Sequence, residues 1–488
     1  MTKLSKVNRA PPQGRFRRLR LTGLALAMTS AFALAGCQQH SERVLGAHEV
    51  AIGLDTLKAA PEQGFSADRF HVHRIEQLLG SSDRRDQAEA GRELRAALID
   101  YARAQHGLTI PASAFPQDWG LKPEPYDAAA SLDQALQAGD LKGWLAAQPS
   151  PLPAYQQLQK AYVADLKIQA AGGWPSVTAF KLAPGAQGPH VAALRQRLAA
   201  EDPQLSGPVA APADAGLIAA LQRFQTAYGL PATGKLDAAT VAALDVPAQG
   251  RAAQIRANME RLRWLPRQTP PTRIDVNTAA AEMDYYQDGR LVTHMLAASG
   301  KPGDDETPML RSQIKSIVLN PPWNVPDNIA QDELVPKGPE YLQAKGFVWK
   351  DGRLVQQPGP DAALGVVKFD FPNPYAVYLH DTPAKAAFQQ SQRAVSHGCV
   401  RLAQAVDLAK TILSQQPGWS AARVDETLAA RDTVRVSLQR PIPVRLVYLT
   451  AYPAGDRIAF RPDIYGWDAQ LLQMLDHPPA PKQPGKKT

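Results

Sequence analysis

The spacing of apolar residues changes period at Pro270-Pro271, and this change constrains the fold more than any other feature of the sequence. Upstream of it the pattern is helical. Between Glu93 and Gln105, one face collects Leu94, Ala97, Leu98 and Tyr101; between Tyr155 and Ile168 it collects Leu158, Ala161, Tyr162 and Leu166. A third stretch, Ala252–Trp264, aligns Ile255, Met259 and Leu262. Downstream, alternation of period two predicts strands at Arg273–Asn277, Leu291–Ser299, Ile314–Leu319, Val366–Phe371, Tyr375–His380, Thr433–Leu438 and Val444–Tyr452. Helical patterns return only at Ala403–Ser414 and Ala421–Ala430. Helices first and short strands afterwards argue against a doubly wound sheet. They predict an α+β multidomain chain in which an α-helical scaffold precedes a mostly-β, sandwich-like domain.

Between these halves lies a compact unit, residues 181–247. Gly188-Pro189 opens a helical stripe of Val191, Leu194 and Leu198, a second helix is predicted over Leu217–Tyr228, and Asp237 is placed to cap a third. The run from Leu221 to Leu230 with Gly234-Lys235-Leu236-Asp237-Ala238-Ala239-Thr240 resembles the three-helix peptidoglycan-binding module of bacterial wall enzymes.

The formal net charge of +8 is not spread over the chain. Residues 1–36 carry Lys3, Lys6, Arg9, Arg15, Arg17, Arg18 and Arg20 and no acid; beyond them 47 Lys and Arg nearly balance 46 Asp and Glu. The basicity is therefore that of an export signal, and a nucleic-acid footprint is not expected. The apolar run Leu21–Gly36 is short of the roughly 20 residues of a spanning helix. It closes on Leu34-Ala35-Gly36-Cys37, which resembles a lipoprotein processing site. The resemblance implies lipidation of Cys37 and a membrane contact through that lipid. With Gln38 next, it implies a periplasmic location at the outer membrane.

Lipidation of Cys37 leaves Cys399 without a disulfide partner, and a lone thiol in an oxidising compartment is a candidate nucleophile. Its surroundings support that. Tyr378-Leu379-His380-Asp381 ends a predicted strand with Tyr378 and His380 on one face, and Ser396-His397-Gly398-Cys399-Val400-Arg401 precedes a predicted helix. The helix N-terminus and Arg401 are expected to favour the thiolate. His380 is the candidate general acid and base, and backbone amides at Gly398 and Cys399 the candidate oxyanion hole. The group orienting the imidazole is either a backbone carbonyl near Asp381 or the Asp381 carboxylate. His380, His397 and Cys399 would also satisfy a zinc count, but a thiolate bound to zinc is not free to attack. No metal and no cofactor are expected.

These segments resemble the signature of bacterial L,D-transpeptidases with the YkuD-type catalytic fold. Arg261-Leu262-Arg263-Trp264-Leu265-Pro266, Asn320-Pro321-Pro322-Trp323-Asn324-Val325-Pro326 and Pro372–Pro383 are similar to the larger, YcbB-like branch. The resemblance implies Cys399 as nucleophile, His380 as base, His397 as a residue shaping the site, and Tyr378, Arg401 and Asp381 as candidates to hold substrate. It implies a tetrapeptide peptidoglycan stem as donor and 3→3 cross-links as product, with other wall-synthesis proteins as possible partners. A carboxypeptidase using the same thioester, and a non-catalytic wall anchor, are the alternatives. The expected organisation is a lipoprotein signal peptide (1–36), a tether (37–54), the helical scaffold (55–180), the binding module (181–247), a linker helix (248–272), the catalytic domain (273–470) with a cap insertion near 326–365, and a disordered tail (471–488).

Overall fold

The computed structural model describes residues 45–479. The signal segment, the lipidation candidate Cys37 and the end of the tail lie outside the described residues. The helical half follows its apolar spacing. Helix Arg84–Gln105 starts where the Asp83 carboxylate accepts the Arg85 amide, and it buries Leu94, Ala97, Leu98 and Tyr101. Helix Pro153–Ala170 has proline in its first turn and buries Tyr155, Leu158 and Tyr162. In the central unit Asp214 and Asp237 cap helices Ala215–Ala227 and Ala238–Leu244 by accepting the amides of Leu217 and Thr240. The stretch read as a tether is partly helical, since Ala47–Lys58 forms a helix that buries Leu57 in the first core.

The catalytic half contributes β1 (Arg273–Asn277), β2 (Glu282–Gln287), β3 (Arg290–Gly300), β4 (Leu310–Leu319), β5 (Trp323–Asn324), β6 (Phe347–Lys350), β7 (Arg353–Gln356), β8 (Val367–Asp370), β9 (Leu379–His380), β10 (Ala394–Ser396), β11 (Val400–Leu402), β12 (Val434–Val447), β13 (Ala451–Ala454) and β14 (Arg457–Phe460). Nine of these make one sheet in the order β10-β3-β11-β9-β8-β4-β12-β1-β2, and a further β2–β3 pairing closes it on itself. The enclosed core holds Ile317, Phe369, Leu379, Val400, Leu402 and Val444, covered by helix Ala405–Leu413. Closure of this kind removes exposed strand edges.

Three boundaries differ from the sequence reading. The expected strand Tyr375–His380 shortens to Leu379–His380. Pro372 and Pro374 donate no ladder hydrogen bond, and Ala376 takes a left-handed φ of 55°. The Asn373 amide ties this turn together by donating to Phe371 O and Val377 O while its oxygen accepts from Tyr375 and Val377 N–H. The expected strand at 433–438 and the first part of that at 444–452 are one strand, β12, whose register shifts between Ser437 and Ile442, around Pro441, while residues 451–452 open β13. The segment expected to be disordered from residue 471 begins as helix Trp467–Asp476, because Trp467 and Leu471 insert into the helical core.

That core is shared. Residues 447–476 leave the sheet and pack Tyr448, Phe460, Trp467 and Leu471 with Tyr155, Ile255 and Trp264. Helix Ala248–Arg263, expected as a linker, is central to it. Its Glu260 is fully buried and accepts from Arg263 at 2.8 Å and from the Trp264 indole at 3.2 Å. Arg263 also reaches the Tyr155 hydroxyl at 2.8 Å, and Arg261 pairs with Asp468.

Candidate active site

Leu379, Val400 and Leu402 point into the sheet core, so alternation sends His380 and Arg401 to the opposite face. β9 and β11 are parallel, with Leu379 opposite Val400 and His380 opposite Arg401. One step back, Val400 N–H donates to Tyr378 O at 3.1 Å, which sets Tyr378 beside Cys399. Tyr378, His380, Cys399 and Arg401 thus share one face.

Cys399 is half-buried. The Tyr378 backbone N–H and hydroxyl both act electrostatically on its sulfur. Burial raises the thiol above its ordinary value; those two donors and the charges of Lys368 and Arg401 oppose the rise. The expected dipole contribution is corrected here. Cys399 leads into strand β11, and the next helix begins only at Ala405.

His380 is 4 % exposed. Its Nδ1 lies 2.5 Å from the Asp381 carbonyl, and since a carbonyl only accepts, Nδ1 carries the proton and Nε2 is the free base. Burial and the Arg401 guanidinium push its pKa down to about 4, against the pull of the Asp381 carbonyl. The alternatives left open for the orienting group are thus resolved in favour of the carbonyl. The Asp381 carboxylate instead accepts from Lys385 at 2.6 Å and from Val366 N–H at 3.0 Å. It is buried and fixes the loop, which removes it from the substrate-holding candidates.

Gly398 has φ of 94°, a left-handed conformation that favours glycine. A Cβ there would meet nothing nearer than 3.5 Å, so conformation and not space calls for glycine. Two hydroxyls hold this turn. Ser396 Oγ donates to Cys399 O at 2.5 Å, and Thr307 Oγ1 donates to Gly398 O at 2.8 Å. In a trans peptide the N–H points opposite to the C=O, so the Thr307 bond turns the Cys399 N–H away from Thr307. Gly398 and Cys399 N–H have no acceptor among the described residues. Thr307 itself is anchored by Gly300 N–H at 2.8 Å, and Tyr465 donates to Gly300 O at 2.6 Å.

His397 Nε2 lies 2.7 Å from Glu333 on the π-helical turn Ala330–Leu334. This turn belongs to the insertion, whose small sheet, β5-β7-β6, and core of Val325, Ile329, Leu342, Phe347 and Leu354 are its own. The insertion begins earlier than expected, at Trp323 on β5, whose indole acts electrostatically on the Tyr378 hydroxyl. Among the described residues no three His, Cys, Asp or Glu side chains are grouped to hold a metal ion. Sequence reading missed Thr307, Glu333, Trp323 and Lys368 as neighbours of the site. Only the Pro-Pro-Trp-Asn motif signalled one of them.

Residues 271–436, which carry this face, match the family model described as "L,D-transpeptidase catalytic domain". Residues 48–161 match the "Scaffold domain" model and residues 187–244 the "Putative peptidoglycan binding domain" model. A curated Haemophilus influenzae protein named "Putative L,D-transpeptidase" is 32 % identical over 241 residues, 45 % of this chain and 48 % of that one. The chain thus spans about half the length of the curated relative it matches. Among solved structures, an L,D-transpeptidase from Mycobacterium smegmatis aligns at 16 % identity over 36 % of this chain and 58 % of its own, with a TM-score of 0.20. The ertapenem-acylated catalytic domain from E. faecium aligns at 15 % identity over 37 % and 98 %, with a TM-score of 0.21.

Proposed function

We propose that this protein is a peptidoglycan L,D-transpeptidase that forms 3→3 cross-links through a thioester on Cys399. The observation that carries the reading is the shared face of β9 and β11, where Cys399, His380, Tyr378 and Arg401 meet beside the free amides of the Gly398 turn. His380 Nε2 takes the thiol proton while Nδ1–H donates to the Asp381 carbonyl. The sulfur attacks the carbonyl of the third stem residue. A C–S bond forms, and the oxyanion is received by the Gly398 and Cys399 N–H groups, each worth about 2.7–4 kcal/mol of barrier. Collapse breaks the amide C–N bond, and the imidazolium protonates the departing D-alanine. The amine of a neighbouring stem then attacks the thioester and loses its proton to His380. The thiolate leaves and recovers that proton.

Arg401, whose buried Nε has no hydrogen-bond partner, is suited to a carboxylate of the donor stem, and Tyr378 to its backbone. His397, paired with Glu333, shapes the mouth by holding the insertion against it. The binding module would supply a second contact with the wall. An exported chain lipidated on Cys37 would act from the outer membrane; a mature N-terminal mass without a diacylglycerol adduct would refute that location.

The test is incubation of the full chain with purified tetrapeptide stems, followed by product masses. A cross-linked dimer, absent with Cys399→Ala, is expected. Tripeptide alone would replace the reading with a carboxypeptidase, and neither product would leave a wall-binding anchor.

A further inference from the structure

Lys368 belongs to no motif and has no step in the reaction above. It lies on β8 directly opposite His380 in antiparallel register. Its neighbours Val367 and Phe369 are in the core, so its side chain emerges on the cysteine face. The ammonium stands 4.1 Å from the centroid of the Tyr378 ring. Asp370 approaches it at 3.2 Å, but that carboxylate also takes Arg435 at 2.7 Å, so it does not neutralise Lys368 alone.

We propose that Lys368 is a positioning residue for the nucleophile, acting through Tyr378: its ammonium on the ring pins the phenol and strengthens the O–H dipole that acts on the Cys399 sulfur. This deepens the reading of Cys399 as nucleophile and rests on it. A cation held over an aromatic face draws on the ring's electron density, and a more polarised phenol is a better donor to a thiolate than to a thiol. The other charged groups around the sulfur are accounted for. Arg401 on β11 adds its own charge, and His380 on β9 is engaged with the Asp381 carbonyl. Asp381 pairs with Lys385, His397 with Glu333 of the insertion, and Asp305 with Lys301. Glu306 accepts from Trp467. Lys368 is the cation seated on the sulfur's hydroxyl donor.

The test reads the thiol directly. The full chain is alkylated with iodoacetamide across a pH series, and the Cys399 peptide is quantified by mass spectrometry. Lys368→Met is expected to raise the apparent thiol pKa by about one unit, a roughly 10-fold smaller thiolate fraction at fixed pH. Lys368→Arg should restore most of it. Tyr378→Phe should give a shift of similar size, and adding Lys368→Met to it should add clearly less than Lys368→Met does alone, because the part carried by the hydroxyl is already lost and only the direct charge of the ammonium remains. An unchanged pKa in Lys368→Met, or a full second shift on top of Tyr378→Phe, would overturn the proposal. Melting temperatures accompany each variant, and Lys368→Gln replaces Lys368→Met if the latter does not fold. Alkylation needs no turnover, so failure here refutes Lys368 alone, whereas turnover surviving in Cys399→Ala refutes the nucleophile itself.

Discussion

Arginine is buried on the helix Ala248–Arg263 and half-buried on the cysteine face, and the two places use it differently. On helix Ala248–Arg263, Arg261 and Arg263 are matched by Asp468 and Glu260, and their remaining contacts join the scaffold to the segment after the sheet. On the cysteine face, Arg401 has no carboxylate partner among the described residues, and the groups its charge acts on are the Cys399 sulfur and the His380 imidazole. Burial lowers the affinity of Arg401 for its proton, a cost that a structural arginine avoids by pairing. The difference separates two uses of one residue type. A matched buried charge fixes the arrangement of elements, and an unmatched one stands ready for a ligand.

The comparison breaks or sharpens on four measurements. Glu260→Gln should have the largest effect on stability, about 3–5 kcal/mol in denaturant unfolding, because it strands the Arg263 charge. Arg401→Met should by contrast shift stability by under about 1 kcal/mol yet reduce kcat/KM by roughly 100-fold or more. Equal stability losses in the two variants would dissolve the distinction. Thr307→Val should come next. Loss of the bond to Gly398 O costs about 1–3 kcal/mol, read as a fall in the acylation rate by carbapenem with little change in melting temperature. The third concerns pH. With His380 lowered to about 4, kcat/KM should be lost only as pH falls through about 4, not at the ordinary histidine value of 6.5. Because the unfolded chain binds this proton first, the contribution of His380 to stability is complete above pH 6.5 and declines as pH falls towards 4. An acid limb near 6.5 would mean that the base is solvated. The smallest effect belongs to Glu333→Gln. It loosens a half-exposed pair worth about 0.2–1 kcal/mol, and faster hydrogen exchange across residues 323–356 should report it.

Much of this was legible beforehand, for identifiable reasons. Apolar spacing located the helices because each buries a single face, and β1 and helix Ala421–Ala430 fell on their expected residues. The motif placed Cys399, His380 and Gly398 together because the cysteine turn and the end of β9 are neighbouring parallel segments. What escaped was contributed across strands. Thr307 is 91 residues from Gly398, and Lys368 reaches Tyr378 through the β8–β9 register, which no local pattern encodes. The wrong expectation of a helix dipole on the thiol came from reading past three residues, Val400–Leu402, that pair with β9 and β3 before the helix starts. The orientation of Asp381 was unreadable because its partner Lys385 opens a short 3-10 helix, Lys385–Gln389, that no apolar spacing marks.

The return of residues 447–476 to the helical core has a consequence for the order of assembly. A chain emerging from its N-terminus exposes Trp264, Ile255 and Tyr155 long before Tyr448, Phe460 and Trp467 exist to cover them. The first half must wait, half-finished, until the cysteine and its sheet have already been delivered.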